Sequence, residues 1–320
     1  MIKQNPYSEI LNKCINLYGI QNPIITPIGR GIEGSTFLLN DSVQKYVLKL
    51  FPKQNIELVE LEIKVIKYLQ NLDIPLPKIY AGKNGRYYEK INKQYVILFS
   101  FVDGHHLSWG PIKACQARDI GINVASLQKT LERFRFTYYK KQPYADSFEE
   151  FRDKDSYINN TILRNKTSIQ KELEKLVTNE LRIQCIHGDI SRENLLTLEG
   201  KVVAFLDFGD CHKDYLVWDT AVAITQLFIT KSFGIDWMGL RNFLEGYKSI
   251  IKLNDSEINA IVPFLMLRNI KIAMQVNYMR MEKKGDKEKL LSIQQSVLKK
   301  IRLIGKNREK IYRLITGTLL

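Results

Sequence analysis

Apolar positions along the chain change their period near Gly104. Before it they run mostly in β fashion: Ile24 to Leu39 reads as strand, turn and strand, and Tyr46 to Phe51 and Tyr95 to Phe99 are short apolar runs. Two helical stripes interrupt them. Ile10, Leu11, Cys14, Ile15, Leu17 and Tyr18 mark a short helix over 8–18, and Leu58, Leu61, Val65, Ile66 and Leu69 mark another within 55–72. Pro75-Leu76-Pro77 ends the second one and forces an extended chain. After Gly104 the period is helical: 112–135 with Ile120, Val124, Leu127 and Leu131, then 161–181, 217–230, 238–250, 255–280 and 286–317. Residues 140–160, with Pro143, keep no clean period and read as a loop and short helix over a substrate cleft.

One stretch breaks the helical half. Ile183 to Ile186 is apolar, and so are Leu195–Leu198 and Val202–Leu206, the last two divided by Glu199-Gly200. Two apolar runs around a two-residue break predict a β-hairpin. His187-Gly188-Asp189 precedes it, Asn194 stands five residues after Asp189, and Asp207-Phe208-Gly209 closes it. The pairing brings Asp207 opposite Arg192 and Asn194 opposite Phe205, so a carboxylate and an amide oxygen gather at one end. Hard oxygen donors around an open space suit Mg²⁺, which keeps waters and shares phosphate oxygens. Asp189, a further oxygen group, can accept a proton.

The spacing HGDxxxxN followed by a hairpin and DFG resembles the aminoglycoside phosphotransferase and choline kinase-like superfamily, small-molecule kinases with the protein-kinase fold. The resemblance implies Asp189 as the base, Asn194 and Asp207 as Mg²⁺ ligands and His187 as a loop brace. It implies an α+β, bilobal molecule with a small antiparallel-sheet lobe over 1–101 and a mostly helical lobe over 102–320 that carries catalysis and substrate binding. ATP, or GTP in its place, is expected between them. Asp219 within WDTAVA stands where the superfamily often has an Asp that braces the catalytic loop.

The first hundred residues supply matching parts. Gly29, Gly31 and Gly34 make G-x-G-x-x-G, with Ser35 next, between β-type runs. Such a loop brings backbone N–H groups near phosphates. A strand follows it instead of a helix, which excludes the dinucleotide-binding reading and fits a kinase phosphate flap. Lys49 lies inside an apolar strand, where an ammonium needs a partner. Glu62 sits on the apolar stripe of the next helix and is the natural one, with Glu60 as the fallback. By resemblance Lys49 reaches the α- and β-phosphates, and Ser100 and Val102 meet adenine through their backbones.

Composition narrows the rest. A hydrophobic fraction of 45% and a charged fraction of 26% are those of a globular protein. The N-terminal segment has no apolar core of a signal peptide, and no uncharged run is long enough to span a bilayer, so no membrane partner is expected. Cys14, Cys115, Cys185 and Cys211 are scattered with no CxxC pair, which reads as buried, reduced thiols of a cytoplasmic protein. The net charge of +14 admits an anionic partner, nucleic acid included, or simply a lysine-rich surface; the second is favoured, also for the basic stretch Lys299 to Arg313. His105-His106 reads as a polar turn, since no further His or Cys stands at ligand spacing.

The acceptor stays open between three readings. VASLQKTLERF, FLDFGDCHKDYLVWDTAVAI and FLEGYKSI resemble the homoserine, hydroxylysine and choline kinase-like branches, which implies an amino alcohol or hydroxylated amino acid. An aminoglycoside is the second reading, at odds with so cationic a protein. A protein substrate is the third, and no activation segment of the APE type follows Asp207. Asp210 and Asp214 either line the acceptor pocket or cap the next helix. Arg192 either reaches the γ-phosphate or pairs near Glu193.

Overall fold

The computed structural model describes residues 7–31, 34–51, 56–92, 94–135, 156–176, 180–230, 234–281 and 285–317. Of the loop and short helix expected over 140–160, residues 140–155 lie outside them, and 156–160 open the helix Ser156–Leu176. The chain forms two compact units: Met1–His105 with Leu196–Leu198 and Val203–Cys211, and His106–Leu195 with Glu199–Val202 and His212–Leu320. The division is not a single cut after residue 101, because the DFG segment belongs with the N-terminal unit.

The first unit is built on an antiparallel sheet in the order β1 (Ile24–Gly31), β2 (Gly34–Asn40), β3 (Lys45–Phe51), β6 (Gln94–Ser100) and β4 (Ile79–Tyr80), with β5 (Glu89–Ile91) also on β6. Helix α1 (Ser8–Tyr18) covers one face, where Leu11 and Cys14 pack with Phe37, Leu39, Leu48, Leu50, Val96 and Leu98. Period-two alternation therefore puts Lys49 on the opposite face from Leu48 and Leu50. Helix α2 (Ile56–Leu69) lies against the 3₁₀ turn Phe208–Asp210, whose Phe208 is buried. Phe205 N–H donates to Pro75 O at 2.8 Å, tying the DFG strand to the segment after α2.

The hairpin forms as expected, with β9 (Leu195–Leu198) and β10 (Lys201–Phe205) joined by Glu199 and Gly200 at φ 51° and 80°. Two successive positive φ values are those of a type I′ turn, whose twist matches that of the strands. His105–His106 is a short strand, β7, beside β9, and not a turn; Thr197 Oγ1 donates to His105 O at 3.4 Å.

The second unit is mostly helical: α3 (Ala114–Leu131), α4 (Ser156–Leu176), α5 (Leu216–Phe228), α6 (Trp237–Lys248), α7 (Asp255–Met281), α8 (Lys287–Lys306) and α9 (Arg308–Thr316). The helix expected over 286–317 is two, broken at Asn307 with φ −108° and ψ 13°. Lys299, Arg302, Lys306, Lys310 and Arg313 stand outward while Ile301, Ile304, Ile311, Leu314 and Ile315 are buried, so the stretch is an amphipathic closing pair. A ladder absent from the sequence reading pairs β8 (Ile183–Ile186) with β11 (His212–Tyr215). Cys14, Cys185 and Cys211 are buried; Cys115 is exposed, unlike the expectation for it. Among the described residues no helix is long and apolar enough to cross a membrane.

Candidate active site

In the N-terminal unit Lys49 is drawn between two carboxylates. Its Nζ donates to Asp207 Oδ1 at 2.7 Å and to Glu62 Oε1 at 3.4 Å. Glu62 is almost fully buried, which an inward position on the α2 stripe dictates. An ammonium and a carboxylate at such depth stabilise each other because water screens them poorly. Asp207 is 39% exposed at its side chain and adopts a left-handed backbone, φ 61° and ψ 77°, where the strand turns into the 3₁₀ helix. That conformation is uncommon outside glycine, tolerated by Asp, and concentrated at functional turns. It points one carboxylate oxygen at Lys49 while leaving the group within reach of solvent.

The glycine loop is a hairpin tip. Gly29 pairs with Thr36, and Gly31 pairs with Gly34 across residues 32–33, which lie outside the described ones. The Ser35 side chain is turned into the protein. It is buried, and its hydroxyl donates to Tyr7 Oη at 3.0 Å, tying the sheet to the residue that precedes α1. At the end of β6, Ser100 N–H donates to Lys78 O at 2.8 Å and Ser100 Oγ accepts from Lys78 N–H at 2.9 Å.

In the C-terminal unit the loop after β8 hangs from Asp219. This carboxylate is fully buried and accepts from Gly188 N–H at 3.0 Å, His187 N–H at 3.2 Å and Gln128 Nε2 at 3.4 Å. Burial pushes its carboxyl upward, opposed by His187 and the amide donors, which favour the charged form. Gln128 extends the anchorage: its Oε1 accepts from Tyr247 Oη at 2.6 Å and its backbone O from Gln184 Nε2 at 2.7 Å. Helices α3, α5 and α6 and strand β8 thus converge behind one loop. Gly188 has φ 84°, a left-handed turn that lets the chain double back to Asp189. His187 is buried and its Nδ1 accepts from Asp189 N–H at 3.3 Å.

Asp189 emerges from this frame with a side chain 29% exposed. Asn194 Nδ2 donates to Asp189 Oδ2 at 2.9 Å and to Asp189 O at 3.0 Å. With both of these bonds made by nitrogen, Asn194 Oδ1 is the atom left to coordinate a cation. Arg268 Nη2 stands 3.5 Å from Asp189 Oδ1. Nothing in the sequence around Arg268 marks it: it is one cation on the long helix α7, brought beside Asp189 by tertiary packing alone.

Two expectations are corrected. Arg192 neither reaches a phosphate nor pairs near Glu193; it is buried, donates to the carbonyls of Ser108 and Leu227, and stacks over Trp109 at 5.8 Å. Asp214 does not line a pocket. It is fully buried in β11, 3.5 Å from His212 Nε2, with Oδ1 accepting from Tyr215 N–H just before α5.

Lys49, Glu62 and Asp207 in one unit and Asp189 and Asn194 in the other are residue types that phosphoryl transfer uses. The chain belongs to the phosphotransferase enzyme family, whose model matches residues 24–248. It is 24% identical over 245 residues to the homoserine kinase of Agrobacterium fabrum, covering 73% of each chain. The homoserine kinase of Zymomonas mobilis subsp. mobilis is 22% identical over 266 residues, 80% of this chain and 82% of that one. Among solved structures, an amicoumacin kinase bound to AMP-PNP and Ca²⁺ superposes with a TM-score of 0.75 at 17% identity, covering 94% of each chain. A microcompartment-associated aminopropanol kinase gives 0.75 at 16% identity, over 96% of this chain and 99% of that one.

Proposed function

We propose that this phosphotransferase moves the γ-phosphate of ATP, with GTP as the alternative donor, to a hydroxyl of a small amino alcohol or hydroxylated amino acid, in the cytoplasm and with Mg²⁺. The observation that carries the reading is Asp189. A solvent-reaching carboxylate is held by Asn194 on one oxygen while its loop is fixed to buried Asp219. Such a group can accept a hydroxyl proton at one oxygen and align the hydroxyl for in-line attack, the general-base role of phosphoryl transfer. The names of the relatives, homoserine kinases, support the acceptor class.

Lys49, steadied by Glu62, is the group for the α- and β-phosphates, and the backbone of Gly29, Gly31 and Gly34 covers them. Val102 would give adenine a backbone donor. Ser100, whose N–H is committed to Lys78, would give its carbonyl as acceptor, and an adenine edge needs one of each. Asn194 Oδ1 and the Asp207 carboxylate are hard oxygen donors that fit Mg²⁺, which is bound by one or two protein oxygens together with phosphates and water. When bound, the metal offsets phosphate charge as the transition state forms.

Asp189→Ala is expected to lower kcat by at least about 10²-fold, the usual worth of a positioned general base, while nucleotide affinity stays within a few-fold. Release of ADP with homoserine, 3-aminopropan-1-ol, choline, ethanolamine and aminoglycosides as acceptors, beside calorimetric nucleotide binding, tests both parts. Full turnover by the variant would refute the assignment of Asp189.

A further inference from the structure

Helix α7 is tied at two places to the segment that ends in Asp189. Arg182, which leads into β8, donates to Glu257 in the first turn of α7, Nε to Oε1 and Nη2 to Oε2, both at 2.7 Å. Glu257 is fully buried, so this two-point pair is shielded from water on the side of the acid. Farther along the helix, Arg268 Nη2 lies 3.5 Å from Asp189 Oδ1. The helix rises about 17 Å between Glu257 and Arg268, and the strand and loop from Arg182 to Asp189 span a comparable length. Phe264 sets the register between the two pairs. Its ring packs on Tyr215 and Trp218 at 5.7 and 5.8 Å between centres, and Trp218 precedes Asp219, the acid from which the Asp189 loop hangs. From Ile261 to Ile270 every residue but Arg268 is buried.

We infer that Arg268 is a positioning residue for Asp189, acting on the acceptor hydroxyl only through that carboxylate. Asn194 Nδ2 holds Oδ2 and Arg268 stands against Oδ1, so the two oxygens are approached by groups from different elements. The last torsion of an aspartate is broad. One hydrogen bond fixes an oxygen and leaves the carboxylate plane free to turn about it. A cation at the second oxygen stops that rotation. With side chains 18% and 29% exposed, Arg268 and Asp189 are screened less than a surface pair. In-line attack needs the accepting oxygen at hydrogen-bond distance from the hydroxyl, and a small misplacement of such a group is costly in rate. Because α7 is clamped at Glu257 and packed through Phe264 on the helix that carries Asp219, loop and cation keep a fixed relation. The inference rests on the general-base reading of Asp189 above and adds the residue that sets its angle.

Arg268→Met keeps an apolar stem in the helix packing and removes the charge. It is expected to lower kcat by roughly 10- to 100-fold while the KM for ATP stays within about 2-fold. Arg268→Lys, whose ammonium can meet the same oxygen at a single point, should regain part of the loss. A double-mutant cycle with Asp189→Ala separates positioning from a merely structural role. Once the Asp189 carboxylate is gone, Arg268→Met should change the residual rate by no more than about 2-fold. An equal loss of kcat in both backgrounds would mean that Arg268 acts on the substrates directly or on the fold at large, and would overturn the inference. So would a parent-like kcat in Arg268→Met, or a change confined to the KM for ATP. Full turnover by Asp189→Ala would instead refute the base itself, and the positioning role with it. A parent enzyme that phosphorylates no member of the acceptor panel would refute the acceptor class alone. The same cycle is then read on ATP hydrolysis, where water takes the place of the hydroxyl, and the same outcomes decide.

Discussion

Asp219 touches no solvent, yet it fixes where the loop from His187 to Asn194 stands. Its carboxyl is raised by burial above the value it has in the unfolded chain. A raised acid favours the folded state most below the unfolded value, and that contribution is lost as pH rises through the folded value. Asn at this position cannot titrate, and it also turns an N–H toward a backbone donor. Asp219→Asn should therefore destabilise the protein throughout, with the deficit larger near about pH 4 than near about pH 8. Urea unfolding across that range measures it, and a deficit that grows with pH would show that the amide donors outweigh burial. Residue-scale chemistry was legible where a local rule is broken. Lys49 is an ammonium in an apolar strand and Glu62 an acid on an apolar stripe, and each demands a partner; the structure joins them and adds Asp207 as the nearer one. Arg268 breaks no local rule, since a cation on a helix is ordinary, and only its neighbour Asp189 makes it unusual.

The crossing of α3 and α6 shows what periodicity predicts and what it omits. Apolar spacing marks both helices, but their approach is set by two glycines. A Cβ at Gly121 would lie 2.1 Å from Phe243 O, and one at Gly246 would lie 2.1 Å from Arg118 O. Backbone cannot yield as a side-chain tip can, so the helices must separate. Gly121→Ala or Gly246→Ala is expected to cost about 1–3 kcal/mol of stability despite the better helix propensity of Ala, and to disturb Tyr247, which bonds Gln128 behind the Asp189 loop. Thermal unfolding and circular dichroism would register the loss; an unchanged midpoint would mean that the crossing relaxes freely. Strand β11 escaped the sequence reading for a related reason. His212-Lys213-Asp214-Tyr215 has no apolar alternation, and becomes a strand because Ile183–Ile186 offers it a ladder. Asn307 likewise divides a stripe whose apolar period continues through it.

Across the whole chain, 48 Lys and Arg against 34 Asp and Glu raise the question of a nucleic-acid partner. On α8 and α9 the exposed cations are the solvated faces of helices whose other faces are buried. Filter retention of single- or double-stranded DNA at about 150 mM salt is expected to be negligible, and any binding at lower salt should fall steeply as salt rises. Saturable retention at the higher salt would give those helices a second role. The sequence alone determined the change from β to helical period near Gly104, the glycine hairpin, the order of Lys49, Glu62, Asp189, Asn194 and Asp207, and the superfamily they resemble. Each of these is local: a period, a turn, or a fixed spacing along one stretch of chain. Tertiary structure alone decided that Asp219 and Gln128 suspend the Asp189 loop, that Arg192 and Asp214 serve packing, that Ser35 turns to Tyr7, and that Arg268 stands beside Asp189. Those facts depend on which residues distant in sequence share a desolvated space, and burial and the field of nearby charges act through space, not along the chain.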